Sequence, residues 1–243
     1  MYGIVLAAGA GRRLRPHTDG VPKALVPVNG DTTILDIALR NMAGVGIRDV
    51  AVVVGYAAEV VEGRRAALER RHGVRLELVG NDRASDWNNC YSLWLAREYF
   101  AAGAMLANGD TVHPQAVEEA LLAQRGTGVL LAVDAVKPLA EEEMKVSVGA
   151  GGRLERITKG LDPASAYGEY IGVTLIEPAA ASPLTDALEA TWRRDAGLYY
   201  EDGYQELADR GGEVRTTAIG ALDWVEVDDP RDLERAREIA CRC

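Results

Sequence analysis

The sequence predicts an α/β protein: a doubly wound, mostly parallel sheet of Rossmann-like form with a small β/α extension. Three observations carry this. Strand and helix signals alternate through the first half, a glycine loop follows the first apolar run, and the pattern turns strand-rich after Gly128. Short apolar runs at 2–6, 50–54, 74–79 and 104–107 read as buried parallel strands. Helical periodicity falls between and after them, over 33–43, 57–70, 90–100 and 114–122. Such alternation argues for a sheet covered by helices on both faces. Pro114 suits the first turn of its helix.

Beyond Gly128, strands are expected over 129–133, 145–148, 154–158 and 170–176, with a hairpin at the glycines 149, 151 and 152. Helices follow over 185–193 and 201–210. A last strand at 224–227 leads into a closing helix over 230–239, capped by Asp228 or Asp229. The economical organisation is one domain: a nucleotide-binding half (1–127), an acceptor-binding half (128–223), and a metal-binding strand with the closing helix (224–243).

Composition narrows the function. The 243 residues hold 26% charged and 48% hydrophobic residues, as in ordinary globular proteins. No apolar run approaches the roughly 20 residues that span a bilayer, so no membrane association is expected. The first run lacks a basic flank and enters a glycine loop, so it reads as a strand and not a signal peptide. Cys90, Cys241 and Cys243 make no disulfide framework, and a cytoplasmic setting is expected. The net charge of −10 argues against nucleic acid. Phosphate chemistry would then need concentrated positive charge, which Arg12, Arg13, Arg15 and Lys23 supply. Alone, they could equally be a solvated loop.

The glycine loop runs Leu6-Ala7-Ala8-Gly9-Ala10-Gly11-Arg12-Arg13-Leu14. Small residues let backbone N–H groups approach a triphosphate, although two glycines also suit a tight strand-to-helix turn. The string from Leu6 to Lys23, LAAGAGRRLRPHTDGVPK, resembles the signature LAAG-x-G-x-R-L-x-P-x-T-x-x-x-P-K of the sugar-phosphate nucleotidyltransferase superfamily, and every fixed position is present. The resemblance implies that the loop from Leu6 to Arg12, with Gly9 and Gly11, wraps nucleotide phosphates. It implies that Arg13 binds the β- and γ-phosphates and Lys23 the reacting α-phosphate. Such transfer rests on positioning and fixed cations, and the acceptor phosphate is already ionised near neutral pH. His17, His72 and His113 therefore read as isolated surface residues.

The reaction so implied needs Mg²⁺. Asp110, in Ala107-Asn108-Gly109-Asp110, stands where open α/β sheets bind ligands, and could alternatively make a Gly-Asp turn. Asp228 could be a helix cap. The family's strand-end Gly-Asp and its late W-x-E-[VI]-D-x-x-x-D-L segment, matched by WVEVDDPRDL, imply that Asp110 and Asp228 are the metal ligands, with Glu226 a neighbour.

The stretch Asn81 to Leu93 is similar to that of small cytidylyltransferases acting on phosphocholine, inositol-1-phosphate and phosphonates. This implies CTP as donor and Asn81, Asn88 and Ser92 beside the pyrimidine; Asn81 and Asn88 also suit turn and cap positions. The acceptor would be a small phosphomonoester or phosphonate, phosphocholine- or aminoethylphosphonate-like. Its phosphate would meet Lys145 or Lys159, near Glu169, each also readable as an exposed strand lysine. Tyr199, Tyr200, Glu201 and Asp202 would hold a cationic head, or simply begin a helix. A sugar-1-phosphate nucleotidyltransferase using another NTP and a silent nucleotide-sensing protein are the alternatives, and a homodimer is compatible with each.

Overall fold

The computed structural model describes residues 1–241, so Cys243 lies outside the described residues. The first half holds β1 (Tyr2–Ala7), β2 (Pro27–Asn29), β3 (Thr32–Thr33), α1 (Ile34–Gly44), β4 (Asp49–Val54), α2 (Ala58–His72), β5 (Arg75–Gly80), α3 (Asn89–Leu95), β6 (Ala104–Asn108), β7 (Thr111–Val112) and α4 (Ala116–Ala123). The second holds β8 (Val129–Asp134), β9 (Lys145–Val148), β10 (Leu154–Thr158), β11 (Gly168–Ile176), α5 (Ala181–Arg194), α6 (Tyr200–Asp209), β12 (Val214–Ala218), β13 (Val225–Glu226) and α7 (Pro230–Ala240).

β5, β4, β1 and β6 lie side by side and parallel, with Gly3 opposite Val50 on one flank and Met105 on the other. Successive strand residues point to opposite faces. Accordingly Val5, Val50 and Val52 enter a core with α1, α2 and α4, whereas Ile4, Ala51 and Val53 enter a second core with α3, α5 and α6. Burial on both faces is why these strands are nearly continuous apolar runs. The predicted double winding is thus realised.

β11 joins β6 antiparallel, and β8 joins β11 antiparallel with β12 parallel beside it. The β9–β10 hairpin pairs with the start of β11, where Glu169 faces Lys145. The parallel half therefore continues into a mixed one. β12 was not expected, because Val-Arg-Thr-Thr-Ala offers one large apolar residue and owes its strand form to pairing along β8. The helix expected over 90–100 stops at Leu95, and a 3₁₀ segment, Arg97–Ala102, follows. No helix among the described residues is long and apolar enough to cross a membrane.

The histidine reading is corrected at two positions. His113 is fully buried with Nε2 2.8 Å from Glu118, and His72 Nε2 lies 2.7 Å from Asp36. The His72 partner comes from tertiary packing 36 residues away, whereas Glu118 follows His113 by five residues, in α4, a spacing that carries no signal of its own.

A third core joins the glycine-loop region to the chain end. Leu14, Val26 and Val28 pack against Val225, Val227 and the apolar stripe Leu233, Ala236 and Ile239 of α7. Asp229 caps that helix, accepting from the N–H groups of Arg231 (2.7 Å) and Asp232 (3.0 Å). Asp229→Ala is expected to lower the unfolding free energy by about 1 kcal/mol, measured by urea denaturation. An unchanged midpoint would mean that Pro230 and the apolar stripe hold the helix start alone.

Candidate active site

The carboxyl ends of β1 and β6 meet in register, with Leu6 opposite Asn108. Gly109 donates its N–H to the Leu6 carbonyl at 3.0 Å, and a Cβ there would stand 2.4 Å from that oxygen. Only glycine fits, and the turn carries Asp110 to the sheet edge. β7 then pairs antiparallel with β13, Thr111 facing Glu226, and Val227 N–H donates to the Asp110 carbonyl at 2.8 Å. Asp228 is thereby set across from Asp110.

Lys23 stands between them. Its Nζ donates to Asp110 Oδ2 at 2.9 Å and to Asp228 Oδ1 at 2.7 Å. It starts a 3₁₀ turn after Pro22, and its stem passes under the glycine loop. Gly11 has φ +57°, and a Cβ there would come within 2.9 Å of the Lys23 Cβ. This loop glycine is therefore required by the lysine as well as by its own backbone. Burial opposes the Lys23 charge, but Asp110 and Asp228 outweigh it and hold the ammonium pKa above its ordinary value. Arg13 pairs with the other Asp228 oxygen at 2.8 Å; burial pushes the Asp228 carboxyl up, but Lys23 and then Arg13 outweigh it and hold it below its ordinary value.

One oxygen each from Asp110, Glu226 and Asp228 lie within 4.8 Å of one another. Asp110 Oδ1 is buried without a hydrogen-bond partner. Crowding by the surrounding protein, then the charges of Asp110 and Asp228, push the Glu226 carboxyl up to about 8, although its side chain opens onto the cleft. Clustered carboxylates with an unsatisfied oxygen are hard-oxygen ligands suited to a divalent cation.

This cluster floors a cleft of about 640 Å³. Leu6, Ala8, Gly9, Arg13 and Ser92 line it. A Cβ on Gly9 would meet nothing within 4 Å, so the loop faces open space there. Ala7 is buried. Gly11, Arg12 and Asn81 instead line an adjoining recess of about 460 Å³ with Tyr56. Asn81 Nδ2 donates to Ser92 Oγ at 2.8 Å, linking recess and cleft. Asn88 lines neither: it caps α3 through Asn89 N–H and donates to the Gly197 carbonyl.

Of the residues expected to meet an acceptor, Lys159, Glu169 and Glu201 line the cleft. Lys145 does not. It is fully buried, and its ammonium donates to the carbonyls of Ala140 (3.1 Å), Glu141 (2.6 Å) and Glu143 (3.2 Å), leaving no donor for an acceptor phosphate. Asp202 is likewise withdrawn, accepting from Tyr199 N–H at the start of α6. Tyr200 is buried behind the wall and donates to Asn108 at 2.8 Å. Asn89 and Lys137, which no sequence motif singled out, also line the cleft, as does Trp224, the first residue of the WVEVDDPRDL segment. Asn108 stands there too; it lay within the quoted strand end, but Lys137 had no local signal.

Glu201 is buried, its Oε2 has no hydrogen-bond partner, and burial pushes its carboxyl up to about 8. The folded state then keeps a proton that the unfolded chain loses above about 4.5, so stability falls as pH rises from about 4.5 to about 8. Glu201→Gln is expected to flatten that fall by at least about 1 kcal/mol, read from urea denaturation at several pH values. Parallel curves for the two proteins would show a carboxyl already ionised in the fold at neutral pH.

Comparison with known proteins agrees with this geometry. The chain is 34% identical over 242 residues to the CMP-5'-(3-aminopropyl)phosphonate synthase of Streptomyces rubellomurinus, covering 96% of this chain and 38% of that protein. It is 43% identical over 101 residues to the choline-phosphate cytidylyltransferase of Streptococcus pneumoniae, covering 42% of this chain and 41% of that protein. The chain thus spans about two-fifths of the length of these relatives in each match. The inositol-1-phosphate CTP transferase of T. maritima shares the fold, with a TM-score of 0.81 at 23% identity over 98% of this chain and 95% of that one. The sequence profile of the MobA-like NTP transferase domain matches residues 3–198, and with the glycine loop, Lys23 and the two strand-end aspartates in one cleft, the chain belongs to that family of nucleotidyltransferases.

Proposed function

We propose that this chain is a cytidylyltransferase that moves CMP from CTP to a small phosphomonoester or phosphonate, of the phosphocholine or aminoethylphosphonate kind, and releases pyrophosphate. The observation that carries the reading is the Lys23 ammonium held between Asp110 and Asp228 on the floor of a cleft entered over the glycine loop. The donor and acceptor classes are supported by the phosphonate and choline-phosphate relatives.

In this reading residues 1–127 bind the nucleotide, 128–223 the acceptor, and 224–243 bring the second aspartate. Backbone N–H groups of the loop from Leu6 to Gly11 take the triphosphate, with Arg12 beside it. Asn81 and Ser92 present amide and hydroxyl groups to the pyrimidine. The acceptor oxyanion attacks the α-phosphorus in line. It needs no general base, because phosphate and phosphonate oxygens are ionised near neutral pH. Lys23 places a compact charge at the transferring group, and the Arg13 fork steadies departing pyrophosphate. Asp110, Asp228 and Glu226 would hold Mg²⁺, which supplies neutralisation of the charge gathering on the phosphate oxygens when bound.

The test is pyrophosphate release screened over the four NTPs against phosphocholine, 2-aminoethylphosphonate, inositol-1-phosphate and glucose-1-phosphate, with and without EDTA. Turnover confined to CTP, a non-sugar acceptor and added Mg²⁺ is the expected result. Preference for another NTP with glucose-1-phosphate would make the chain a sugar-1-phosphate nucleotidyltransferase. Complete silence would favour a nucleotide sensor. Lys23→Ala is expected to lower kcat about 10²–10³-fold while leaving CTP affinity within a few-fold, because its charge acts mainly in the transition state. Weaker CTP binding with unchanged kcat would reduce Lys23 to a ground-state contact.

A further inference from the structure

The acceptor side of the cleft contains an ammonium cage that the chain fills itself. Asp134, at the end of β8, accepts through Oδ1 from the N–H groups of Val136 (2.8 Å) and Lys137 (3.2 Å). Its Oδ2 accepts from Trp224 Nε1 at 2.8 Å. One carboxylate thus fixes both the backbone that carries Lys137 and the indole that its ammonium faces. Lys137 Nζ lies 5.0 Å from the Trp224 ring centroid, 2.7 Å from Glu143 Oε1 and 2.5 Å from Glu169 Oε2. The last contact is an ion pair whose direction leaves Oε2 without a proper hydrogen bond. Glu143 is held in turn by the Ala140 N–H at 2.7 Å.

An aromatic face flanked by carboxylates is the arrangement that takes up quaternary ammonium ligands. Here the occupant is a side chain of the same polypeptide. Tyr199, a further aromatic side chain on the cleft, has Lys159 Nζ 5.5 Å from its ring centroid and stays 37% exposed. Glu201 contrasts with both. Its Oε2 is buried at the same cleft with no donor directed at it. A trimethylammonium head has no N–H to offer that oxygen and depends on an open aromatic face. A primary ammonium or hydroxyl head can donate to it.

We propose that Lys137 is a specificity-determining residue: an internal stand-in cation that closes the Trp224–Glu143–Glu169 cage to quaternary ammonium heads. The acceptor is then selected for a small head bearing N–H or O–H donors, received by Glu201. The acceptor assignment rests on the proposed cytidylyltransferase reaction; the closed cage does not.

Calorimetric titration of the full chain with tetramethylammonium tests the cage without any turnover. Wild type is expected to show no measurable binding, Lys137→Met to bind at least about tenfold more tightly than the wild-type limit, and Lys137→Arg to behave as wild type. In turnover, wild type is expected to favour 2-aminoethylphosphonate over phosphocholine, and Lys137→Met to raise the phosphocholine-to-aminoethylphosphonate ratio of kcat/KM at least about tenfold. Tetramethylammonium binding by wild type as tight as by Lys137→Met, or a wild-type preference for phosphocholine, would overturn the proposal. Both wild-type measurements stand even if the methionine variant fails to fold. Absence of turnover with every acceptor would defeat the cytidylyltransferase reading while the titration still decides the cage.

Discussion

Lys23 donating at once to Asp110 and Asp228 joins three distant parts of the chain at one point: the turn under the glycine loop, the end of β6 and the approach to α7. Carboxylates brought as close as Asp110, Glu226 and Asp228 repel one another, and each is crowded by protein. The lysine charge offsets part of that repulsion, and Arg13 adds a second cation on Asp228. Glu226, which neither cation contacts in an ion pair, bears the remainder as a carboxyl pushed up to about 8, by crowding first and by its acidic neighbours second. The same cations that relieve the cluster are those suited to phosphate oxygens, so structural and chemical demands fall on the same side chains.

Much of the surrounding backbone serves this point. Gly11 lets the loop cross the Lys23 stem, Gly109 lets the end of β6 lie against Leu6, and the two-residue β7–β13 pairing sets Asp228 opposite Asp110. None of these features is large, and none is stable alone; the doubly wound cores beneath supply the rigidity. A net charge of −10 coexists with a local concentration of cations at the loop, where Arg13 and Lys23 pair with the clustered acids Asp228 and Asp110.

The opposite wall obeys a different rule. There the chain pairs its own acids with its own lysine, Lys137 with Glu143 and Glu169, while Lys159 sits over the Tyr199 ring. Glu169 remains pushed up to about 7 by burial despite its partner, and Glu201, with no cation in hydrogen-bond contact, to about 8. The two walls of the cleft therefore differ in electrostatic character.

The sequence by itself determined the parallel half of the sheet, because strands buried on both faces must be apolar throughout and helices between them must carry a 3.6-residue stripe. Contiguous motifs around the glycine loop, Lys23, Asp110 and Asp228 were also legible, through their resemblance to a family signature and not through composition or spacing. What it left undecided depends on contacts between residues far apart in the chain. β12 is a strand because β8 lies beside it; Lys145 was readable as a phosphate ligand until three carbonyls were seen to consume its donors. Asn88 and Asp202 sit at helix starts, where capping and ligand binding call for the same residue types, and only the direction of each side chain separates the two. Lys137, Glu143, Glu169 and Trp224 form one group through a turn, a strand and a distant indole. Tertiary structure alone decided that grouping, because an ion pair or a cation over a ring depends on ångström separations that spacing along a folded chain does not encode.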